Sequence, residues 1–153
     1  MNAGIWQKFP ARQDEYENML AYVMEQAEAA GISVKRQLKL QLGFEEATVN
    51  VISYAYESEG GSLWLRAHRE GEDFVLELKD SGTPFNPLVQ EDALARKPQS
   101  LEETKIGGLG IAFMRRIFSE ITYHYGEEEG LFCNHLTLRF KMAEQAAGHG
   151  EHF

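Results

Sequence analysis

The sequence predicts one α+β domain, a two-layer sandwich with helices on one face of a mixed or antiparallel sheet. Three long stretches repeat apolar residues every three or four positions, as amphipathic helices do, and two pairs of segments alternate apolar and polar residues, as hairpin strands do. The 153 residues, 43% of them hydrophobic, suffice for one core. We predict that the domain spans 1–142. Residues 143–153 contain few large apolar side chains and are predicted to form a frayed tail.

The chain begins with a predicted short strand and a first helix. GIWQKF at 4–9 is interpreted as an edge strand closed off by Pro10. From about residue 12 to residue 30, apolar side chains recur at three- and four-residue steps. Gly31 is expected to end this helix, because glycine readily adopts the left-handed conformation of a helix C-cap.

A second, longer helix is expected from an N-cap at Ser33 to about residue 57. It is apolar around most of its circumference, so we expect it to be buried. Glu46 and Asn50 lie one turn apart on this helix. A carboxylate is rarely buried without a partner, so the pair suggests a binding function; a polar stripe that faces water or bonds to backbone is the alternative. The apolar positions are Leu38, Leu40, Leu42, Phe44, Ala47, Val49, Val51, Ile52, Ala55 and Tyr56.

A hairpin is predicted at 63–79, with a turn at 70–73 and one face on the core. Phe74, Leu76 and Leu78 alternate with polar or smaller residues. Asp80 has the same parity as these three, so its carboxylate should point into the inner layer if the strand continues that far.

The rest of the chain predicts a loop, a helix and a second hairpin. Residues 80–87 are dense in turn formers, and 88–106 reads as a mobile connection with one helical turn. Gly107–Gly110 (GGLG) opens a helix that reaches about Ser119. Strands at 121–125 and 131–141 flank a turn at 126–130. The inner face of the last strand is expected to carry Phe132, Leu136, Leu138 and Phe140.

The composition narrows the class of ligand. Fifteen Lys and Arg against 24 Asp and Glu give a net charge of −9, without a basic cluster. We therefore expect no direct binding to nucleic acid or to an anionic membrane. Backbone amides can still hold a small phosphate ligand. Cys133 is the only cysteine and no apolar run is long enough to span a bilayer, so we expect a cytoplasmic protein.

Three motifs together carry candidate chemistry: E-x-x-x-N on the second helix, D-x-G-x-P-F-x-P after a strand, and G-G-L-G before a helix. Bare backbone N–H groups at a helix N-terminus suit phosphates. An inward Asp80 can accept a hydrogen bond from an exocyclic amine. Asn50 offers an oxygen ligand for Mg²⁺, and Glu46 is placed to take a proton from an attacking hydroxyl.

These motifs resemble the N box and the two glycine-rich boxes of the GHKL ATPases, which have the Bergerat-type ATP-binding fold. The matching segments are 46–50, 80–87 and 107–110, and the resemblance covers roughly residues 5–141. The branch that fits best is the bacterial anti-sigma-factor serine kinases, because the chain is one short domain and has Pro84-Phe85 where histidine kinases usually carry another glycine.

The resemblance implies roles for individual residues. Glu46 would be the general base, Asn50 the Mg²⁺ ligand and Asp80 the group that recognises the adenine amine, with Gly82 allowing close approach of the ring. A lid at about 88–106 would cover the phosphates, with Arg96 and Lys97 as further basic candidates. The remaining ATP-binding positions would be Phe85, Lys105, Gly107, Gly108, Leu109 and Gly110.

The resemblance also implies a function. The chain would be an ATP- and Mg²⁺-dependent serine kinase that sequesters a sigma factor and phosphorylates a STAS-like antagonist. By analogy it would form a homodimer through the N-terminal strand and first helix. A nucleotide-responsive binding module without kinase activity is the alternative, because Tyr54 replaces a histidine common in this branch and Lys105 is a poor substitute for arginine. A stand-alone ATPase and a protein of the same fold that binds no nucleotide are further alternatives.

Other candidate residues have structural interpretations. His124 and His135 are interpreted as sheet residues because no further metal ligand is spaced near them. Cys133 is interpreted as a small buried residue, and Glu127–Glu129 as a solvated turn.

Overall fold

The computed structural model describes residues 4–56, 60–88 and 109–143. Within these ranges the strands form one five-stranded sheet of order β1-β2-β3-β5-β4, and every neighbouring pair is antiparallel. The α+β prediction is confirmed, with an antiparallel sheet. The elements are β1 (Gln7–Pro10), a 3₁₀ turn (Gln13–Glu15), α1 (Tyr16–Ala30), α2 (Val34–Tyr54), β2 (Ser62–Glu70), β3 (Asp73–Asp80), α3 (Leu109–Ile117), β4 (Glu120–Glu128) and β5 (Leu131–Lys141).

The predicted capping residues are found at the end of α1 and at the start of α2. Gly31 ends α1 with φ of 94°, and its N–H bonds back to the last turn. The hydroxyl of Ser33 accepts a hydrogen bond from the N–H of Arg36 at 3.3 Å, so Ser33 caps α2. The second helix ends at Tyr54, three residues before the predicted end.

The core lies between the sheet and the helices. Each helix contributes buried side chains to it, such as Met19 of α1, Phe44 of α2 and Met114 of α3. On the sheet, Phe74, Leu76 and Leu78 of β3 pair with Phe140, Leu138 and Leu136 of β5. The alternation predicted for both strands is therefore confirmed at these positions.

The expectation that α2 is buried all round is wrong. Leu40 and Phe44 are fully buried, but Leu38 is 62% and Leu42 48% exposed, and Val34 on the same side is more exposed still. Within the described part of the chain, the sheet and the other helices cover only part of the circumference of α2. On the side facing α3, a Cβ at Gly43 would come within 2.8 Å of Ile117 Cγ2, so the two helices make close contact there.

The second hairpin is longer than predicted. The strand β4 continues to Glu128, and the turn is formed by Glu129 and Gly130, with φ of 52° and 88°. Phe132 lies on the same face as the buried Leu136, as predicted, but it is 60% exposed, so the core does not reach it. It lies opposite Glu127, near the closed end of the hairpin.

The outer face of the sheet is also partly covered. The ring of Trp6 lies 4.2 Å from the guanidinium of Arg66 and 4.4 Å from the ammonium of Lys79. Beneath it, Glu77 accepts hydrogen bonds from Arg66 and contacts His135 Nε2 at 2.8 Å. These contacts explain why β3 is buried on both faces, and we call Trp6, Arg66, Glu77, Lys79, Glu128 and His135 the outer cluster.

The interpretation of residues 127–129 as a solvated turn is wrong for Glu128. Its carboxylate contacts His135 Nδ1 at 2.9 Å and Lys79 Nζ at 3.8 Å. Cys133 is buried, as predicted. Among the described helices, none combines the length and the apolar character that a membrane crossing requires.

Candidate functional site

Glu46 and Asn50 lie on the side of α2 that faces α3. Asn50 is 6% exposed, and among the described residues its amide contacts Met114 Sδ alone, at 3.9 Å. Glu46 is half-buried and has no hydrogen bond or ion pair to another described residue. Burial, and to a lesser degree the charge of Glu45, raise the pKa of Glu46. Two polar groups with little protein contact are thus side by side on one turn.

Gly110 brings the start of α3 against this pair. The residue is buried, and a Cβ built on it would lie 2.8 Å from Glu46 Oε1 and 4.0 Å from Asn50 Nδ2. The glycine therefore lets α3 approach the carboxylate. A helix N-terminus favours anions, which agrees with the phosphate-binding role that the sequence predicts for the glycines before this helix.

Asp80 ends β3 on the inner face, 4% exposed, as its parity predicted. Its Oδ1 accepts hydrogen bonds from Gly82 N at 2.9 Å and from Asn134 Nδ2 at 2.8 Å. Burial raises the pKa of Asp80, although these two hydrogen bonds act against the increase. Both bonds found among the described residues reach the same oxygen, which leaves Oδ2 as the acceptor for a ligand.

Asn134 is a site residue that the sequence analysis missed. Its Nδ2 also donates to the carbonyl of Thr83 at 2.9 Å, and its Oδ1 accepts from the N–H of Phe85 at 3.0 Å and from the hydroxyl of Tyr123. One buried amide therefore joins β5 and β4 to the loop that follows β3. A sequence signal existed, because Asn134 has the parity of Leu136 and Leu138 and is a polar residue on the inner face.

Gly82 is required for contact with the helix, which differs from the role implied by the resemblance. A Cβ on Gly82 would overlap the carbonyl of Ala55 just after α2, and the N–H of Thr83 donates to that carbonyl at 2.7 Å. Tyr56 adds a second attachment, accepting a hydrogen bond from the N–H of Ser81 at 2.9 Å. The loop is thereby fixed to the end of α2, which orients Asp80.

A small cleft with an internal volume of about 20 Å³ lies between α2 and the inner face of the sheet, and most of its lining is apolar. This is room for about one water molecule, so the cleft has to widen before a nucleotide base can enter. The structure thus brings Asn50, Asp80 and Phe85 to one cleft; Glu46 is one turn back along α2. The lining residues are Ala47, Asn50, Val51, Ala55, Leu78, Asp80, Phe85, Pro87, Tyr123, Asn134 and Leu136.

Several predicted positions lie outside the described residues. They are Arg96, Lys97, Lys105, Gly107 and Gly108; for Leu109 only the backbone is described. In the described part of the chain, no group of three or more His, Cys, Asp or Glu side chains is placed to share a metal ion.

The donor set fits a nucleotide with Mg²⁺. A hard cation that keeps several waters needs few protein oxygens, and the poorly satisfied amide of Asn50 can supply one. The acceptor Oδ2 of Asp80 inside an apolar cleft suits a flat base that carries an amine. Gly110 lets the backbone of α3 lie directly against the carboxylate of Glu46.

Two comparisons relate the chain to known proteins. The family model described as "Histidine kinase-like ATPase domain" matches residues 9–140. Among solved structures, Acinetobacter baumannii histidine kinase AdeS matches with a TM-score of 0.41 and 14% identity, over 94% of this chain and 70% of that chain. No curated protein matches the chain significantly.

Proposed function

The chain belongs to the family of histidine kinase-like ATPase domains, and from this membership we propose that it binds ATP with Mg²⁺ and acts as a regulatory serine-protein kinase and anti-sigma factor. It would sequester a sigma factor and inactivate a STAS-like antagonist by phosphorylating a serine. The observation that carries the nucleotide part is that Asn50 and Asp80 line one cleft, while Glu46 and Gly110 lie together beside Asn50.

In this proposal the two ends of the cleft have different tasks. Asp80 Oδ2 accepts a hydrogen bond from the adenine amine, and the apolar lining excludes water from the base. Asn50 holds Mg²⁺, which when bound neutralises phosphate charge. The N–H groups at the start of α3, with Gly107, Gly108 and Lys105, bind the phosphates.

Glu46 is proposed as the general base. Its carboxylate lacks a partner among the described residues and would accept the proton of the attacking serine hydroxyl at Oε1 or Oε2. Its raised pKa brings it nearer to neutral pH, where a base combines adequate strength with the deprotonated state.

Calorimetry with ATP and Mg²⁺ tests nucleotide binding. We expect the wild type to release or absorb binding heat and Asp80→Asn to lose most of its affinity, because the amide of asparagine presents a donor or a weaker acceptor to the base. Absence of binding heat for the wild type across several temperatures would exclude the nucleotide function. The choice of temperatures guards against a binding enthalpy near zero.

Transfer of labelled phosphate to an antagonist tests the kinase function. The purified protein is incubated with ATP, Mg²⁺ and a candidate STAS-like protein, and Glu46→Ala is run in parallel. Phosphorylation that is unaffected in Glu46→Ala would contradict the assigned base. Homodimerisation through β1 and α1 is part of the proposal, and the solution mass with and without β1 residues tests it separately.

A nucleotide-responsive binding module is the second candidate. The replacement of the branch's histidine by Tyr54 and the presence of Lys105 without an arginine beside the glycines favour it. In that case ATP changes the affinity for a protein partner, and no phosphoprotein forms. The same incubation separates the two functions by assaying phosphate transfer and complex formation together.

A further inference from the structure

Two partly exposed aromatic rings stack on each other near the closed end of the β4–β5 hairpin. Tyr125 is 37% and Phe132 60% exposed, and their ring centroids lie 6.0 Å apart with planes inclined by 21°. Single exposed apolar residues are common, whereas contiguous exposed apolar patches mark interaction sites. The pair therefore needs an explanation that the nucleotide site does not provide.

A carboxylate completes this surface. Glu127 lies directly opposite Phe132 in the β4–β5 register and has the same parity as Tyr125, so all three residues share one face. Glu127 is exposed and forms no hydrogen bond or ion pair with a described residue. We call Tyr125, Glu127 and Phe132 the hairpin-tip patch.

The chemistry of the hairpin-tip patch fits a guanidinium group. The faces of aromatic rings attract cations, arginine most often, and a carboxylate accepts two parallel N–H bonds from the guanidinium fork. The chain carries a net charge of −9, which attracts a basic partner at long range. The exposed stripe on α2 at Val34, Leu38 and Leu42 is aliphatic and has no such rings.

We propose that the hairpin-tip patch docks an arginine side chain of a protein partner, presented on a segment with apolar neighbours. The patch adjoins the Asp80 end of the cleft, because Tyr125 pairs with Asn134. Glu46, by contrast, lies nine residues before Ala55 on α2, roughly 13 Å along the helix axis from the Asp80 loop. Docking at the patch thus leaves the Glu46 end accessible. It goes beyond the nucleotide function and does not depend on it.

Synthetic peptides test the proposal in the absence of nucleotide. Ten-residue peptides alternate Leu with Arg, Lys or Glu, and carry a fluorophore for anisotropy titration against the full chain. We expect the Arg peptide to bind best, the Lys peptide more weakly and the Glu peptide not at all. Phe132→Ser and Glu127→Gln should each weaken Arg-peptide binding by about tenfold, a typical loss for one desolvated cation–π or charge-assisted contact.

Matched controls distinguish binding at the hairpin-tip patch from nonspecific binding of the peptide. Leu38→Ser removes an equally exposed apolar side chain on α2, and Glu25→Gln removes an exposed carboxylate on α1. Both should bind the Arg peptide like the wild type, and thermal unfolding checks that each variant is folded. Equal losses in the controls and in the tip variants, or no binding of the Arg peptide to wild type, would overturn the proposal.

Self-association is the competing use of the hairpin-tip patch. The solution mass of wild type and of Phe132→Ser is measured by light scattering over a range of concentrations. An unchanged mass supports docking of another protein. A mass that falls in Phe132→Ser means that a second copy of the chain occupies the patch, which also overturns the proposal.

Discussion

Asn134 Nδ2 donates a hydrogen bond to Asp80 Oδ1 at 2.8 Å, across the β3–β5 ladder. The same side chain contacts Thr83, Phe85 and Tyr123. Its two N–H bonds and its carbonyl oxygen are therefore all used, which holds the amide in one orientation. Because Asn134 bonds to one carboxylate oxygen of Asp80, it also determines which oxygen faces the cleft.

Replacing Asn134 should impair both stability and nucleotide binding. Asn134→Ala leaves several buried polar groups without partners, and we expect a loss of about 2–3 kcal/mol in the free energy of unfolding, measured with urea. Tyr123→Phe removes only one of these hydrogen bonds, so about 1 kcal/mol is expected. ATP affinity should fall more in Asn134→Ala. Equal effects of the two variants would show that Asn134 does not organise the site.

Two glycines of the site should respond differently to alanine. In Gly82→Ala the new methyl group meets the rigid backbone of Ala55, so we expect a loss of about 1–3 kcal/mol in unfolding free energy. In Gly110→Ala it meets the carboxylate of Glu46, which can move, and alanine favours the helix. Gly110→Ala should therefore stay near wild-type stability yet lose phosphate transfer. Urea unfolding and the transfer assay distinguish the two; the reverse pattern would contradict these contacts.

Two leucines of α2 test which side of this helix is buried. Leu40→Ala should lower the unfolding free energy by about 2–5 kcal/mol, because a fully buried leucine leaves a cavity. Leu38→Ala removes the same atoms from a largely exposed site, and a change within about 0.5 kcal/mol is expected. Similar losses in both would mean that Leu38 is covered in solution, for example by a second copy of the chain.

Periodicity predicted the elements well but not what covers them. The pattern in α2 identified a helix correctly, since spacing alone determines the period. It could not reveal that Leu38 faces water while Leu40 faces the sheet, because exposure depends on packing partners distant in sequence. Phe132 has the inner-face parity that the sequence predicts, yet it is exposed, because the described helices do not cover the closed end of the hairpin.

For the motif residues of the site, the sequence predicted a side-chain direction only at Asp80. The parity of Asp80 with Phe74 was sufficient to predict its inward position. The partners Asn134 of β5 and Tyr123 of β4 lie in strands with no motif, and their importance comes from long-range register. The sequence did not predict that Gly82 packs against Ala55, because that contact depends on where α2 ends relative to β3.

The outer cluster should give the protein a stability maximum in mildly acidic solution. Burial alone would raise the pKa of Glu77, but hydrogen bonds from His135 and Arg66 outweigh it and lower that pKa to about 2. The contribution of Glu77 is thus present above pH 4.5 and is lost as the pH falls toward 2. The hydrogen bond to Glu77 raises the pKa of His135, with Glu128 adding to it. Its contribution is complete below pH 6.5 and is lost as the pH rises through the raised value.

Thermal unfolding across pH checks this expectation. Glu77→Gln should flatten the acid limb between pH 4.5 and 2, and His135→Gln should flatten the limb above pH 6.5. His124→Gln is the control, because His124 is an exposed residue of the same sheet. A limb above pH 6.5 that persists unchanged in His135→Gln would show that another group causes it.

The pH dependence of phosphate transfer should identify Glu46 as the base. Transfer requires deprotonated Glu46, so the rate should fall as the pH falls through the raised pKa of this carboxyl group. Glu46→Gln should reduce the rate by about 10²–10⁴-fold, the usual contribution of a positioned base. Glu45→Gln removes the neighbouring charge that helps to raise the pKa, so its acid limb should move to lower pH while the plateau rate is kept. Glu25→Gln, on α1, should leave the profile unchanged. A profile that shifts equally in Glu45→Gln and Glu25→Gln would instead indicate an effect of net charge on the partner, because only Glu45 adjoins the proposed base.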